Sequence, residues 1–337
     1  MSLDLVPIWT AIIGVSVFMY VLLDGFDLGV GILFPLAPDD DARTTMMASV
    51  APIWDGNETW LVMGGAGLLA AFPVAFAVIV PALYFPILLM LLGLIFRGVA
   101  FEFRHQSTTY RHWWDRAFTG GSLVATFFQG VVLGQFVLGF KVEGGEFAGT
   151  SWDWLHPFAL ATGFGLIAGY ALLGATWLVM KTENDLQAWA RRWSKRALIG
   201  TLAFIGMVSV VTPFVDPNVM QRWFAWPNLA FVAPVPIATA IVAWVLWRAL
   251  HRRSQAAEIQ PFFAAMALFG FCYLGLAISL FPYIVPHALT LWQAAAPPST
   301  QAFLLIGTLF ILPIVFMYTG WSYWVFRGKA KAGQGYH

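Results

Sequence analysis

Two acidic pairs stand inside apolar stretches of this chain: Asp24 and Asp27 in VLLDGFDLGVG (21–31), and Asp55 and Glu58 in SVAPIWDGNETWLV (49–62). Each pair has i,i+3 spacing, which sets both side chains on neighbouring positions of one helical face. From Pro7 to Leu36 the chain carries no other charge, and that run is long enough to cross a lipid bilayer. A carboxylate at membrane depth is costly unless it is protonated, paired or wetted. Acids kept there do one of two kinds of work. They can hand protons along a path. Alternatively they hold structure: Asp55 as a helix N-cap with Glu58 completing a capping box, and the acids of the first pair bonding to backbone where Gly25, Gly29 and Gly31 let helices approach closely. The residues alone leave both readings open.

The composition says what kind of elements must position them. Of 337 residues, 60% are hydrophobic and 10% charged, against roughly a quarter charged in a soluble domain. Mean hydropathy is +0.75. Seventeen tryptophans and thirty phenylalanines suit aromatic belts at two membrane interfaces. A formal net charge of +1 gives no reason to expect a nucleic-acid partner. The single cysteine, Cys272, can form neither an internal disulfide nor a cysteine-based metal cluster. The opening MSLDLVPIW lacks a basic n-region, which argues against a cleaved signal peptide.

Runs of about 20 apolar residues predict nine transmembrane helices, near 7–35, 49–72, 74–97, 117–140, 154–180, 197–215, 229–249, 260–284 and 300–326. The turn between the second and third is very short, at Phe72 and Pro73. The fold class is therefore an all-α polytopic membrane protein forming a single membrane domain. Its expected parts are a first four-helix bundle (1–140), a second (141–285), and a last loop, ninth helix and tail (286–337). All lysines and arginines except Lys141 and Arg222 fall on one side, which the positive-inside rule makes cytoplasmic. The N-terminus is then outside and the C-terminus inside.

With a rise of about 1.5 Å per residue, Asp27 and Asp55 both lie roughly 10–14 Å below the inner surface. If the first two spans pack as an antiparallel hairpin, four carboxyls share one level. Basic residues are scarce there. Arg97, in FRGVAFEFR (96–104), is the nearest partner, with Glu102 and Arg104 closer to water. One arginine cannot neutralise four acids, so burial and mutual repulsion should keep some of them protonated near neutral pH. An aligned set of such groups suits a proton path. The six histidines (105, 112, 156, 251, 287, 337) sit at span ends, in loops or in the tail, so a His-ligated haem within this chain is not expected. P-loop, Rossmann and HExxH patterns are absent. The chain can guide protons but shows no centre for chemistry, which points to a partner.

The segments DGFDLGVG (24–31), APIWDGNETWL (51–61) and FRGVAFEFR (96–104) closely resemble the signature segments of subunit II of cytochrome bd-type quinol oxidases. ALTLWQAAAPPSTQ (288–301) and PIVFMYTGWSYWVFRG (313–328) look like the family's last loop and helix. The compact length and the WQAAAPPS loop are closer to the cyanide-insensitive branch. The stretch 140–255 contributes little beyond hydropathy.

The resemblance implies a haem-free subunit of an enzyme in the bacterial cytoplasmic membrane that oxidises quinol and reduces oxygen to water. Such enzymes build a membrane potential without pumping, drawing protons from the cytoplasm. Subunit I is expected to carry two b-type haems, a d-type haem or b-type substitute, and the quinol-oxidising loop. Subunit II stabilises it, and some members hold a structural quinone in this subunit. A small single-helix accessory subunit can join the pair. The family's proton path carries over to Asp55, the acid of WDGN, joined by Glu58, Asp24 and Asp27, with Trp54, Asn57, Arg97 and Glu102 in support. Where many relatives have WDA in the final loop, this chain has Trp292, Gln293 and Ala294. A stand-alone proton-coupled transporter or channel using the same carboxyls is the alternative from another class.

Overall fold

The computed structural model describes residues 4–107, 109–215, 217–252 and 256–330; Arg253, Lys331 and His337 lie outside the described residues. The chain begins with α1 (Val6–Leu33), a 28-residue helix with Pro7 in its first turn, where a missing N–H costs nothing. A single 3-10 turn (Phe34–Leu36) leads to α2 (Asp40–Val50), capped by Asp39, whose Oδ1 accepts from Ala42 N at 2.7 Å. Then come α3 (Trp54–Ala71), α4 (Pro73–Ala82), α5 (Tyr84–Gln106) and α6 (Arg111–Leu138). A two-residue turn at Gly144–Gly145, both with positive φ as glycine readily allows, joins β1 (Val142–Glu143) to β2 (Glu146–Phe147). Next are α7 (Pro157–Lys181), α8 (Asn184–Val215), α9 (Pro217–Phe224), α10 (Asn228–Val232), α11 (Pro234–His251) and α12 (Ala256–Leu280). A second hairpin, β3 (Tyr283–Val285) with β4 (Leu289–Thr290), precedes α13 (Leu291–Ala294) and α14 (Pro298–Val325).

Eight helical stretches among the described residues are long and apolar enough to cross a membrane. The chain is thus an all-α, multi-pass membrane protein. The expected second span is α3, which is not among the eight because Asp55, Asn57 and Glu58 occupy its first turns. The expected third span (74–97) is displaced. Phe72 ends α3 as anticipated, but Pro73–Ala82 is a separate short helix and the long one is Tyr84–Gln106. Pro86 explains the break at Leu83: it has no N–H to offer the carbonyl of Ala82, so one helix cannot run through.

Helix α1 lies at the centre, packed against α3, α6, α7 and α12. Lipid tails supply no hydrophobic drive between helices, so close packing of small residues must hold them. At the α1–α7 crossing Gly29 faces Gly174 backbone to backbone, and a Cβ on either would overlap the other chain segment. Along the same contact, Phe26 stacks on Trp177 of α7 with ring centroids 4.2 Å apart, and Phe262 and Tyr323 complete the group. At one end of the molecule, α4 contacts both hairpins and α13. There Gln293 forms a capping box with Thr290, accepting from Thr290 N at 2.8 Å, and Trp292 Nε1 donates to Asp4 Oδ2 at 2.9 Å. Trp292 and Gln293 thus fasten α13. At the other end, Lys181 donates to the carbonyls of Phe326 and Gly328, tying the segment after α14 to α7.

Candidate functional site

Asp24 and Asp27 occupy the last third of α1 and are fully buried. Asp24 faces α5, where Arg97, also fully buried, donates from Nη1 to Asp24 Oδ1 at 2.6 Å. The other Arg97 terminal nitrogen donates to Glu58 Oε1 on α3. One guanidinium therefore joins three helices through two carboxylates, a fork geometry that arginine supports and lysine does not. The Trp54 ring lies against Arg97, its centroid 5.6 Å from the guanidinium carbon, and stacks on Phe101 at 4.9 Å. The Cβ missing from Gly121 would meet the Arg97 backbone, so the close α5–α6 crossing fixes the depth at which Arg97 enters.

Asp27 is held differently. Its Oδ2 accepts from Asn57 Nδ2 at 2.6 Å, and Asn57 Oδ1 in turn accepts from Tyr323 OH on α14 at 2.9 Å. Asn57 Nδ2 also lies 3.4 Å from the Leu23 carbonyl, so a single amide bridges α1, α3 and α14. Asp24 Oδ2, Asp27 Oδ1 and Arg97 Nε have no hydrogen-bond partner among the described residues, and neither do the nearby Tyr20 OH and Thr126 Oγ1. Beside the cluster, Tyr170 packs against Gly25 and donates to Gln129 Oε1 at 2.5 Å.

Six of the eight residues expected from sequence thus converge: Asp24, Asp27, Asn57, Glu58, Arg97 and Trp54. Asp55 and Glu102 do not join them. The N-cap of α3 is Ile53 and no side chain caps it, so the capping-box arrangement is not formed. Asp55 is exposed on the outward face of α3. Glu102 is exposed on α5 and accepts from Gln106 one turn along at 3.0 Å. Glu58 lies between these situations: its side chain is 27% exposed while its carboxylate holds buried Arg97. Sequence reading missed Tyr323, Tyr20, Tyr170 and Gln129. A signal existed for Tyr20, one helical turn before Asp24; for Tyr323, 266 residues away from Asn57, there was none.

A second ionic group lies at the same end. Arg104 is buried and donates to Asp115, while Asp40 at the start of α2 meets Arg104 at 3.5 Å and Arg111 at 3.0 Å. It ties α2 to α5 and α6. Among the described residues no group of three or more His, Cys, Asp or Glu is placed to hold a metal ion. His156 serves as the N-cap of α7, its Nδ1 accepting from Phe158 N at 3.2 Å.

The family described as "Cytochrome bd terminal oxidase subunit II" matches residues 5–326. The chain is 29% identical to "Cytochrome bd-I ubiquinol oxidase subunit 2" of Escherichia coli (strain K12), over 96% of this chain and 94% of that protein. It is 26% identical to "Cytochrome bd ubiquinol oxidase subunit 2" of Bacillus subtilis (strain 168), covering 96% of each. Among solved structures, a chain of the bd oxidase from Geobacillus thermodenitrificans shares the fold, with a TM-score of 0.68 at 17% identity over 94% of this chain and 99% of that one.

Proposed function

The chain belongs to the cytochrome bd terminal oxidase subunit II family, and from that premise we propose that it is the haem-free second subunit of an oxidase that takes electrons from quinol and reduces oxygen to water. Its partner would be a haem-bearing subunit I in the bacterial cytoplasmic membrane. The haems, two b-type and a d-type or its substitute, would supply electron transfer and oxygen binding there. Side chains here do not suit a haem: the described histidines lie at helix ends or, for His287, in the β3–β4 turn, and Phe26, Trp177, Phe262 and Tyr323 fill the space between α1, α7, α12 and α14. In this reading α3 is the ninth crossing helix, the N-terminus is outside, and α14 flanks two bundles, 1–140 and 141–285.

The observation that carries the proposal is the position of Asp55. It is exposed on α3, three residues from Glu58. A carboxylate turned toward lipid is strongly disfavoured, so this face of α3 is covered in the working protein. Thr59, Val62, Ala66 and Leu69 continue the exposed stripe at helical spacing, and at Gly65 a Cβ would meet nothing within 4 Å. Subunit I is the covering partner. Oxygen reduction consumes protons as well as electrons, and Asp55 would deliver them across this interface from the cytoplasmic end. Glu58 is the neighbouring carrier. Asp24, Asp27, Asn57 and Arg97 hold it in place, and the unpartnered oxygens of the two aspartates give water a foothold. A stand-alone transporter is not favoured, because the family match spans nearly the whole chain.

The test is Asp55→Asn in the assembled enzyme. Subunit I and full haem content should copurify, while quinol-driven oxygen consumption falls by on the order of 10- to 100-fold, at the low end of what losing a proton-transfer group costs. A wild-type rate in the fully haem-loaded variant would refute the role.

A further inference from the structure

Arg222 is one of only two basic residues that the charge pattern places away from the cytoplasmic side, and nothing in the oxidase reading uses it. It sits on α9, at the level where α8 ends, α11 begins and α12 ends. One of its terminal nitrogens, Nη1, donates to the carbonyls of Ile278, at 2.7 Å, and of Phe281. These are among the carbonyls that the end of α12 leaves without an internal partner, so this nitrogen acts as a C-cap. A capping role alone would account for one nitrogen. Nε and Nη2 donate to no described residue, and among the described residues no carboxylate pairs with the guanidinium.

Arg222 stands at the boundary of two adjoining open grooves on the surface. One, of about 490 Å³, is walled by Phe231, Val232, Ala277 and Ile278. The other, of about 310 Å³, is walled by Asn218, Gln221 and Ala225. Arg222 and Asn228 line both. An apolar compartment and an amide-lined compartment meeting at a cation make up the complement of an amphiphile with an anion at its junction. The setting agrees. Trp226 and Phe231 are about 80% exposed beside the grooves, as aromatic side chains are where a membrane meets water.

We propose that this is a phospholipid site: the phosphate ester bonds to Nε and Nη2 of Arg222, an acyl chain lies along Phe231 and Ile278, and the headgroup projects past Gln221. Arginine matches phosphate oxygens with paired donors. A neutral quinone ring would leave the guanidinium without its counter-ion. The lipid would thereby complete the cap of α12 and fill the groove between α9, α10 and α12. The site is independent of the carboxyl cluster and of any redox role.

The experiment uses the chain as it purifies from membranes, with whatever partner accompanies it. Tightly held phospholipid is measured as lipid phosphorus per chain after exhaustive detergent washing, and as bound mass in native mass spectrometry. Wild type should retain a phospholipid that Arg222→Gln loses, with Arg222→Lys intermediate. Because Arg222 also caps α12, Ile278→Trp serves as the second variant. It leaves the guanidinium in place and fills the apolar compartment, and it should lose the same lipid. Equal lipid phosphorus in Ile278→Trp and wild type overturns the proposal even if Arg222→Gln fails to fold. So does a bound mass corresponding to quinone or detergent. Inorganic phosphate that binds wild type and not Arg222→Gln, with no lipid present in either, would assign the anion site to free phosphate and overturn the lipid.

Discussion

Replacing Arg97 by methionine isolates the electrostatic part of the cluster, because methionine keeps much of the side-chain volume and removes only charge and donors. In the native arrangement Asp24 Oδ1 lies 2.6 Å from Arg97 Nη1, and both residues are fully buried. Breaking one partner out of a buried pair costs about 3–5 kcal/mol, because the remaining charge is left uncompensated. Asp24 has an escape, which sets a ceiling. It can take up a proton, at a cost of about 1.4 kcal/mol for each pH unit above its ordinary value near 3.9, or about 4 kcal/mol at pH 7. Glu58 adds little, since its side chain is already 27% exposed and can turn outward. The expected loss is therefore about 3–4 kcal/mol at pH 7, and its ceiling drops to about 3 kcal/mol at pH 6. The sign follows from proton counting: the folded variant holds a proton that the unfolded chain releases, so its stability falls as pH rises. The assay is the thermal midpoint of the purified protein at pH 6, 7 and 8. Adding Asp24→Asn to Arg97→Met should restore most of the loss and flatten the pH dependence. A double variant as unstable as Arg97→Met alone, or a defect that does not change with pH, refutes this account of the cluster.

Other positions give independent checks. Tyr323→Phe keeps the ring in the aromatic group and removes only the bond to Asn57 Oδ1, so the midpoint should drop by about 1 kcal/mol equivalent with assembly intact. Gly29→Ala should prevent accumulation of the chain in membranes, because its Cβ would enter the Tyr170–Gly174 backbone, whereas Gly206→Ala on α8 meets nothing within 4 Å and should accumulate normally. In the loop before α7, the Thr150 hydroxyl beside Asp153 holds that carboxyl below the usual range, with Lys141 4.0 Å away. The loop's contribution is then complete above the ordinary value of about 3.9 and lost as pH falls through the lowered one. Asp153→Asn should accelerate proteolysis of the loop at neutral pH and leave the rate unchanged in strong acid.

How much of this was legible beforehand differs from residue to residue. Helix α1 was plain from its length, apolar apart from Asp24 and Asp27. The Arg97 partnership was also legible, because no other basic residue comes near that depth. The break between α4 and α5 was missed: hydropathy runs straight through Leu83, and only the lost N–H of Pro86 marks it. Spacing misled more subtly at α3. Residues three apart still differ by about 60° around a helix, and the edge of the buried face falls between Asp55 and Glu58, sending one outward and the other to Arg97. The role of Tyr323 is beyond any local signal, since the contact spans most of the chain. Tertiary packing alone creates it.

The two sides of α1 show why the carboxyls and the rings belong to one construction. On one side Phe26 enters the group formed by Trp177, Phe262 and Tyr323; on the other Asp24 and Asp27 reach Arg97 and Asn57. Tyr323 belongs to both, its ring in the aromatic group and its hydroxyl on Asn57. In lipid, where apolar surface gains nothing by leaving the solvent, close contact and polar bonds must supply the cohesion. Side chains provide both here, with the rings filling volume and the ion pairs of Arg97 fixing the register of α1, α3 and α5. That division also explains how Asp55 can be spared for other work. Arg97 is already engaged by Asp24 and Glu58, so Asp55, outside the cluster, is not needed to balance its charge, as the proposed role at the interface with subunit I requires.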